Sequence, residues 1–364
     1  MDFYPLESIS LDEAKKLQFH IIDCITKEFK GGEIITRGDL GVRLPYGRPL
    51  ITIKAEKVIA RIFKQEDCIL VRGAGTSAIR FGFSSIVKAG DKILIHKAPI
   101  YSTTKDSIEM LGLKTIEADY NNLDDIEKVL LDNEDIKLAL VQYTRQLPND
   151  NYDISRVIKK IKDSKNIPII TDDNYAALKV KNIGVELGAD LSCFSSFKLL
   201  GPEGIGIVVG KKKYIDKIRS LHYSGGMQVQ GHESIDVLRG MVYAPVSLAI
   251  QGEVVKECFE RLNNGEVDGV KKAYIANSQS KVLLVEFDSE IAEEVCINAE
   301  KLGAAPYPVG SESKYEFVPM FYRVSGTFLK FDESLKTKMI RINPMRAGAD
   351  TILNILDRSI KGCD

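Results

Sequence analysis

From about residue 50 to residue 210 the chain alternates short apolar runs with amphipathic ones, and this alternation limits its fold more than any other feature. ITIKAEKVIARIF is apolar at helical spacing, CILV is a strand-like run, and the glycine turn RGAGTSA leads into the helical stretch IRFGFSSIVKA. KILIH, KTIEA, KLALVQY and IPIITDD continue as strands, divided by the helical stretches TTKDSIEMLG, LDDIEKVLLD and ISRVIKKIKDS. LSCFSS and GIGIVV close the block as two further strands. Short strands divided by helices predict an α/β fold, a three-layer α/β/α domain whose sheet is mainly parallel and covered on both faces.

The flanks read differently. LDEAKKLQFHIIDCITKEFKGG predicts an N-terminal helix stopped by a glycine pair, followed by the Gly-, Pro- and Arg-rich loop EIITRGDLGVRLPYGRP. A long helical stretch begins near Gly231, and from about Pro245 the pattern changes to helices with short strands, KVLLVEF and KMIRIN, and a closing helix ADTILNILDRSI. The predicted division is an arm over 1–49, a large domain over 50–244 and a smaller C-terminal α+β domain over 245–364.

Composition narrows the function classes. With 50 basic and 51 acidic residues the net charge is -1, which gives no footprint for nucleic acid or a membrane surface. The six cysteines, Cys24, Cys68, Cys193, Cys258, Cys296 and Cys363, form no CxxC pair, and the pattern reads as reduced thiols with no histidine at metal-ligand spacing. The start carries charges where a signal peptide has an apolar core, and no stretch approaches a membrane span. A cytoplasmic protein without a metal is expected.

Three signals fall at the carboxyl ends of predicted strands, where open α/β sheets bind ligands. The first is RGAGTSA: Gly73, Gly75, Thr76 and Ser77 precede a helix, whose first N–H groups and positive dipole end suit a phosphate. Read instead as the dinucleotide pattern GxGxxA, this turn requires an acid at the end of the next strand. That strand ends LIHKAP, with His96 and Lys97, which disfavours a nicotinamide cofactor. The second signal is the pair Asp172 and Asp173 closing IPIITDDN. A carboxylate at a buried strand end is costly without a cation, and Asn174 alone adds too few hard ligands for a metal. The third is Lys198 in SSFKLLGPEGIGIVVG, between two apolar runs. An amine in apolar surroundings loses proton affinity and becomes the nucleophile that imine formation requires. Singly these have bland readings: a tight turn, loop-capping acids, a surface lysine. A phosphate cradle, an acid for a ring nitrogen and a lysine for an aldehyde together describe pyridoxal 5'-phosphate.

On these residues the chain resembles the fold-type-I pyridoxal-phosphate enzymes, the aminotransferase superfamily, from about Tyr46 to Arg341. The lysine segment is similar to that of selenocysteine synthase-like proteins and class V aminotransferases, which implies phosphate binding by Ser195; Phe197 stands where trans-sulfuration enzymes often carry a hydroxyl. YGRP resembles the Tyr-x-Arg segment of the cystathionine lyase and synthase group, implying that Tyr46 and Arg48 reach the phosphate of a second subunit in a homodimer. GAGTSAI resembles that group's phosphate loop (Gly75, Thr76, Ser77), and IYSTT implies that Tyr101 stacks on the cofactor ring. The Val-Asp-Asn pattern of the group implies Asp173, rather than Asp172, as partner of the ring nitrogen. MIRINPMRAG implies Arg341 as clamp for a substrate carboxylate, with Arg346 close by as competitor. The resemblance implies an enzyme acting on an amino acid or small amine, a transferase of aminotransferase type, with a carbon–sulfur β/γ-elimination lyase as alternative. A non-catalytic regulatory descendant and a selenocysteine synthase acting on charged transfer RNA are the remaining readings, the last without a basic face to support it.

Overall fold

The alternating block folds as a seven-stranded sheet, with β1 Asp67–Arg72, β2 Lys92–His96, β3 Lys114–Ala118, β4 Ile136–Gln142, β5 Ile169–Asp172, β6 Leu191–Ser195 and β7 Ile205–Gly210. This computed structural model describes residues 3–144, 147–278, 280–309 and 312–363. The spatial order is β1-β7-β6-β5-β4-β2-β3. The pairs from β3 through β6 are parallel, whereas β7 is antiparallel to both β6 and β1. The reason is connection length. Helices Ser102–Met110, Leu123–Asp132 and Ile154–Ser164 each return the chain to the same end of the sheet, but only residues 196–204 separate β6 from β7, too few for a crossover.

The sheet is buried because its strands are apolar on both sides. Ile93, Leu138, Leu140, Ile170 and Val208 pack with Ala78, Ile79 and Phe83 of the helix Ala74–Ile86 in one cluster. The helix begins immediately after β1, and Gly73 at its cap has φ 99°, a left-handed conformation that favours glycine. Alternate residues of β5 face opposite layers. Ile170 lies against Gly82 of that helix, while Thr171 lies against Gly184 of the 3₁₀ turn Gly184–Leu187.

The chain divides into two compact units: Asp12–Thr144 with Asn151–Pro245, and Met1–Leu11 with Arg145–Asp150 and Val246–Asp364. The second holds a four-stranded antiparallel sheet, β8 Val270–Ser278, β9 Ser280–Phe287, β10 Met320–Arg323 and β11 Met339–Asn343, in the order β10-β11-β9-β8. Phe287, Val295, Ile342, Ile352 and Leu356 form its core with helices Ala292–Lys301 and Ala349–Lys361. KVLLVEF and KMIRIN are β9 and β11 as expected; β8 and β10 are additions. The long helix spans Gly231–Asn263 with Pro245 inside it, so the change of organisation read at Pro245 falls within a helix. Among the described residues, no helix is long and apolar enough to cross a membrane.

Candidate active site

Lys198 stands in the turn between β6 and β7. Ser195 caps the 3₁₀ turn Ser196–Leu199, its hydroxyl accepting from the Phe197 N–H at 3.3 Å. The buried Ser196 hydroxyl lies 2.9 Å from the Pro202 carbonyl and 3.0 Å from that of Ile205, which ties the turn to the start of β7. A lysine on so pinned a turn has few directions open to it. Its Nζ donates to the Tyr175 hydroxyl at 2.5 Å and lies 3.8 Å from the centre of that ring. Tyr175 itself has φ 64°, a strained backbone for a bulky residue, in the segment that leaves β5.

The two acids ending β5 occupy opposite faces. Asp172 accepts from the Asn174 N–H (3.1 Å) and side-chain amide (2.8 Å). Burial pushes the Asp172 carboxyl up, while the Asn174 bonds and the positive charge of Lys198 pull it back. Asn174 in turn accepts from the Ser195 N–H at 3.0 Å, and a Cβ at Gly75 would stand 2.6 Å from its carbonyl oxygen. Asp172, Asn174, Tyr175, Ser195, Lys198 and the glycine turn are therefore one group. Asp173 is fully buried on the other face, where it accepts from the Thr171 hydroxyl at 2.8 Å. Burial, with the neighbouring Asp172 charge adding to it, pushes it up to about 7, against the opposing pull of the Ser192 and Thr171 hydroxyls. The sequence expectation names Asp173 as partner of the ring nitrogen; strand alternation turns Asp172 toward the lysine and Asp173 away from it.

At the glycine turn, the helix starts at Ala74, ahead of the Ile79 start read from sequence, so Gly75, Thr76 and Ser77 all lie in its first turn. The Thr76 hydroxyl donates to that of Thr103 at 3.1 Å, which joins this helix start to the helix Ser102–Met110. Tyr101 caps that second helix and is 37% exposed, a placement beside the turn rather than within the core.

Other expected residues lie elsewhere. Tyr46 is exposed, and Arg48 donates to the buried carboxylate of Glu56 at 2.5 Å, which also accepts from the Leu70 N–H. With Arg219, His222 and Gln228 these line a cavity of about 210 Å³ to which none of the Lys198 group contributes. In the other unit, Arg341 donates to the Arg323 carbonyl at 2.7 Å and stacks 4.1 Å from the centre of the Tyr322 ring. Arg346 donates to Gln251 (2.8 Å) and to the Met345 carbonyl, while its buried Nη2 lacks a hydrogen-bond partner. His20, Asp23 and Cys24, one helical turn apart on the helix Leu11–Glu28, bring three ligand-type atoms within 4.8 Å of one another. The His20–Cys24 spacing of four is a metal-ligand spacing that the sequence reading passed over; here Asp23 is paired with Lys27 at 2.5 Å and His20 Nε2 lies 3.3 Å from the Ile62 carbonyl.

Sequence reasoning also missed Tyr175 and Thr103 and weighed Asn174 only as a metal ligand. The signal for Tyr175 was present: it is the aromatic residue that follows the acid pair and Asn174 directly.

Comparison with known proteins places the chain in a family. The aminotransferase class-V model matches residues 51–237, and the model of the YhfS-like C-terminal domain matches residues 256–356. The protein YhfS of Escherichia coli (strain K12) is 47% identical over 360 residues, 99% of each chain. A crystal structure described as the pyridoxal-5'-phosphate dependent protein YhfS from Escherichia coli superposes with a TM-score of 0.97 at 46% identity, covering all of both chains. Cystathionine gamma synthase from Xanthomonas oryzae pv. oryzae shares the fold, with a TM-score of 0.73 at 12% identity over 95% of this chain and 97% of that one. The chain therefore belongs to the class-V aminotransferase family and is a relative of YhfS.

Proposed function

We propose that this chain is a pyridoxal-phosphate-dependent enzyme acting on an amino acid or small amine, with Lys198 as the residue that holds the cofactor's aldehyde. The observation that carries this reading is the grouping of Lys198, Tyr175 and Asp172 beside the glycine turn. When bound, the cofactor supplies an electron sink for carbanion chemistry next to the amine carbon. The residues present fit it. The helix start at Ala74–Thr76 and the hydroxyls of Thr76 and Ser195 offer donors for a phosphate, without the acidic side chains that would repel one. Asp172, held by Asn174 and facing a cation, is the acid for the ring nitrogen. The Tyr175 hydroxyl accepts from the Lys198 amine and orients it, so Lys198 can return a proton to the reacting carbon once released. Tyr101 would cover the cofactor ring, and Arg341 would clamp the substrate carboxylate.

Transfer of the amino group is the reaction proposed, in line with the family model matched, ahead of carbon–sulfur elimination. A homodimer is proposed from the segment before the sheet domain, where Ile35, Leu40, Val42 and Leu44 are 80%, 76%, 54% and 89% exposed, far more apolar surface than a monomer leaves in water. Tyr46 is the residue of that segment free to reach a second subunit, and Arg48, anchored by Glu56, fixes its direction.

Borohydride reduction of the cofactor-loaded protein followed by peptide mapping is the test. Label on Lys198 is expected; label on another lysine, with none on Lys198, rejects the reading. A panel of amino acids, with keto acid and ammonia measured separately, then decides between transfer and elimination.

A further inference from the structure

Asp173 is a buried acid that the proposed chemistry leaves unused. A line of hydrogen bonds ends on it. The Val185 N–H donates to Ser192 Oγ (3.0 Å), the Ser192 and Thr171 hydroxyls are 2.9 Å apart, and the Thr171 hydroxyl donates to Asp173 Oδ2 (2.8 Å). Donors can therefore all point one way, from the 3₁₀ turn Gly184–Leu187 across β6 and β5 to the carboxyl. The line bonds Oδ2, the Ser192 hydroxyl and the Gly184 N–H lie near enough to pull the carboxyl back, and Oδ1 has no hydrogen-bond partner among the described residues. An ionised carboxylate has about four lone-pair sites and needs several donors when buried, so an oxygen left without a bond suits a neutral acid better.

Among the described residues Asp173 forms no salt bridge. The neighbouring Asp172 pushes it further up, and the buried Cys193 thiol of β6, held far above its ordinary range by burial and both acids, is a further titratable group beside it. Burial, with Asp172 adding to it and the nearby donors opposing it, raises the Asp173 carboxyl to about 7, within reach of physiological pH.

We propose that Asp173 is a positioning residue that stands neutral behind Asp172 in the working site and, on losing its proton, adds a second negative charge that strengthens proton binding at Lys198 and at the ring nitrogen. This rests on the assignment of Asp172 and Lys198 above. Its consequence is a site whose electron sink strengthens as pH rises through neutrality, a device set by one hydroxyl line rather than by contact with substrate.

Asp173→Asn tests it, because the amide matches the neutral acid in shape and still accepts from Thr171. In the loaded protein, the visible band of the lysine-bound cofactor is followed against pH. Wild type and variant coincide below about pH 6 and diverge above it, the variant losing its proton about half a pH unit or more earlier. The cofactor-free protein gives an independent readout: carboxyl ¹³C resonances should show one buried acid titrating near neutrality, absent in Asp173→Asn. Should that variant fold poorly, Thr171→Val removes the donor instead and raises the same midpoint. Coincident pH profiles, or an Asp173 already ionised at pH 6, overturn the proposal. So does loss of bound cofactor in Asp173→Asn at pH 6, since that is the behaviour of a ring partner. Failure of borohydride labelling at Lys198 sinks the cofactor reading instead, and the carboxyl titration of the cofactor-free protein still decides whether Asp173 holds a proton.

Discussion

Asp172 and Asp173 are adjacent in sequence, alike in chemistry and both buried, yet the two faces of β5 give them opposite situations. On the Asp172 face, an amide, an amine and a glycine turn converge, and the acid has a cation to answer. On the Asp173 face there are two hydroxyls and apolar packing, and the acid is held toward its neutral form. The lesson is that a carboxyl's role follows from what its face of the strand meets, one pleat deciding between an ionic partner and a proton holder.

The largest expected effect comes from separating the two. Asp172→Asn is expected to cut turnover by about 100-fold or more, because the amide cannot keep a ring nitrogen protonated. Asp173→Asn at pH 6 should cost less than a tenth of that loss on a logarithmic scale of rates. Parallel kcat and KM measurements on the two variants check this. Equal losses, or the reverse order, would erase the distinction between the faces.

Tyr175→Phe probes the Asp172 face more finely. It removes the hydroxyl that receives the Lys198 amine while keeping the ring over which that amine lies. A fall in kcat of about 10-fold is expected, since one well-placed acid–base partner contributes on that order at its low end. KM should change little, because Tyr175 contacts the lysine and not a carboxylate clamp. A rise in KM with kcat intact would place Tyr175 in substrate binding instead.

How much of this was legible in the sequence follows the physics of each element. The strand and helix alternation from Ile51 to Val209 was readable because burial on both faces leaves unbroken apolar runs such as CILV and GIGIVV. Lys198 stood out for the same reason, a charge set between two such runs. β8 was not legible: VKKAYIANS carries two lysines and becomes a strand only through pairing with β9. Which acid faces the lysine was also closed to spacing arguments, since Asp172 and Asp173 differ by one pleat and a motif alignment can slide by one residue. Only Asn174, bonded at once to Asp172 and to the Ser195 N–H, fixes the register. Arg341 was legible as an arginine on a strand, but its bond to the Arg323 carbonyl and its stacking on Tyr322 come from the pairing of β10 with β11.

The smallest and most direct test needs neither cofactor nor substrate. Asp173 is raised from an ordinary 3.8 to about 7 by burial, so the folded state binds its proton more tightly than the unfolded chain does. Linkage then has a definite sign: stability from this group is complete below about pH 3.8 and declines as pH rises through 7. The full span corresponds to roughly 4 kcal/mol by the usual conversion of about 1.4 kcal/mol for each pH unit, before relaxation around the charge reduces it. Asp172, also raised by burial, adds a decline of the same sign that the comparison must subtract. Denaturant melts of the cofactor-free wild type and Asp173→Asn at pH 5 and pH 8 separate the contributions. The wild type should lose at least about 1 kcal/mol more than the variant between those two pH values. Equal losses would mean that Asp173 is ionised throughout, and the contrast between the two faces of β5 would then be one of geometry alone.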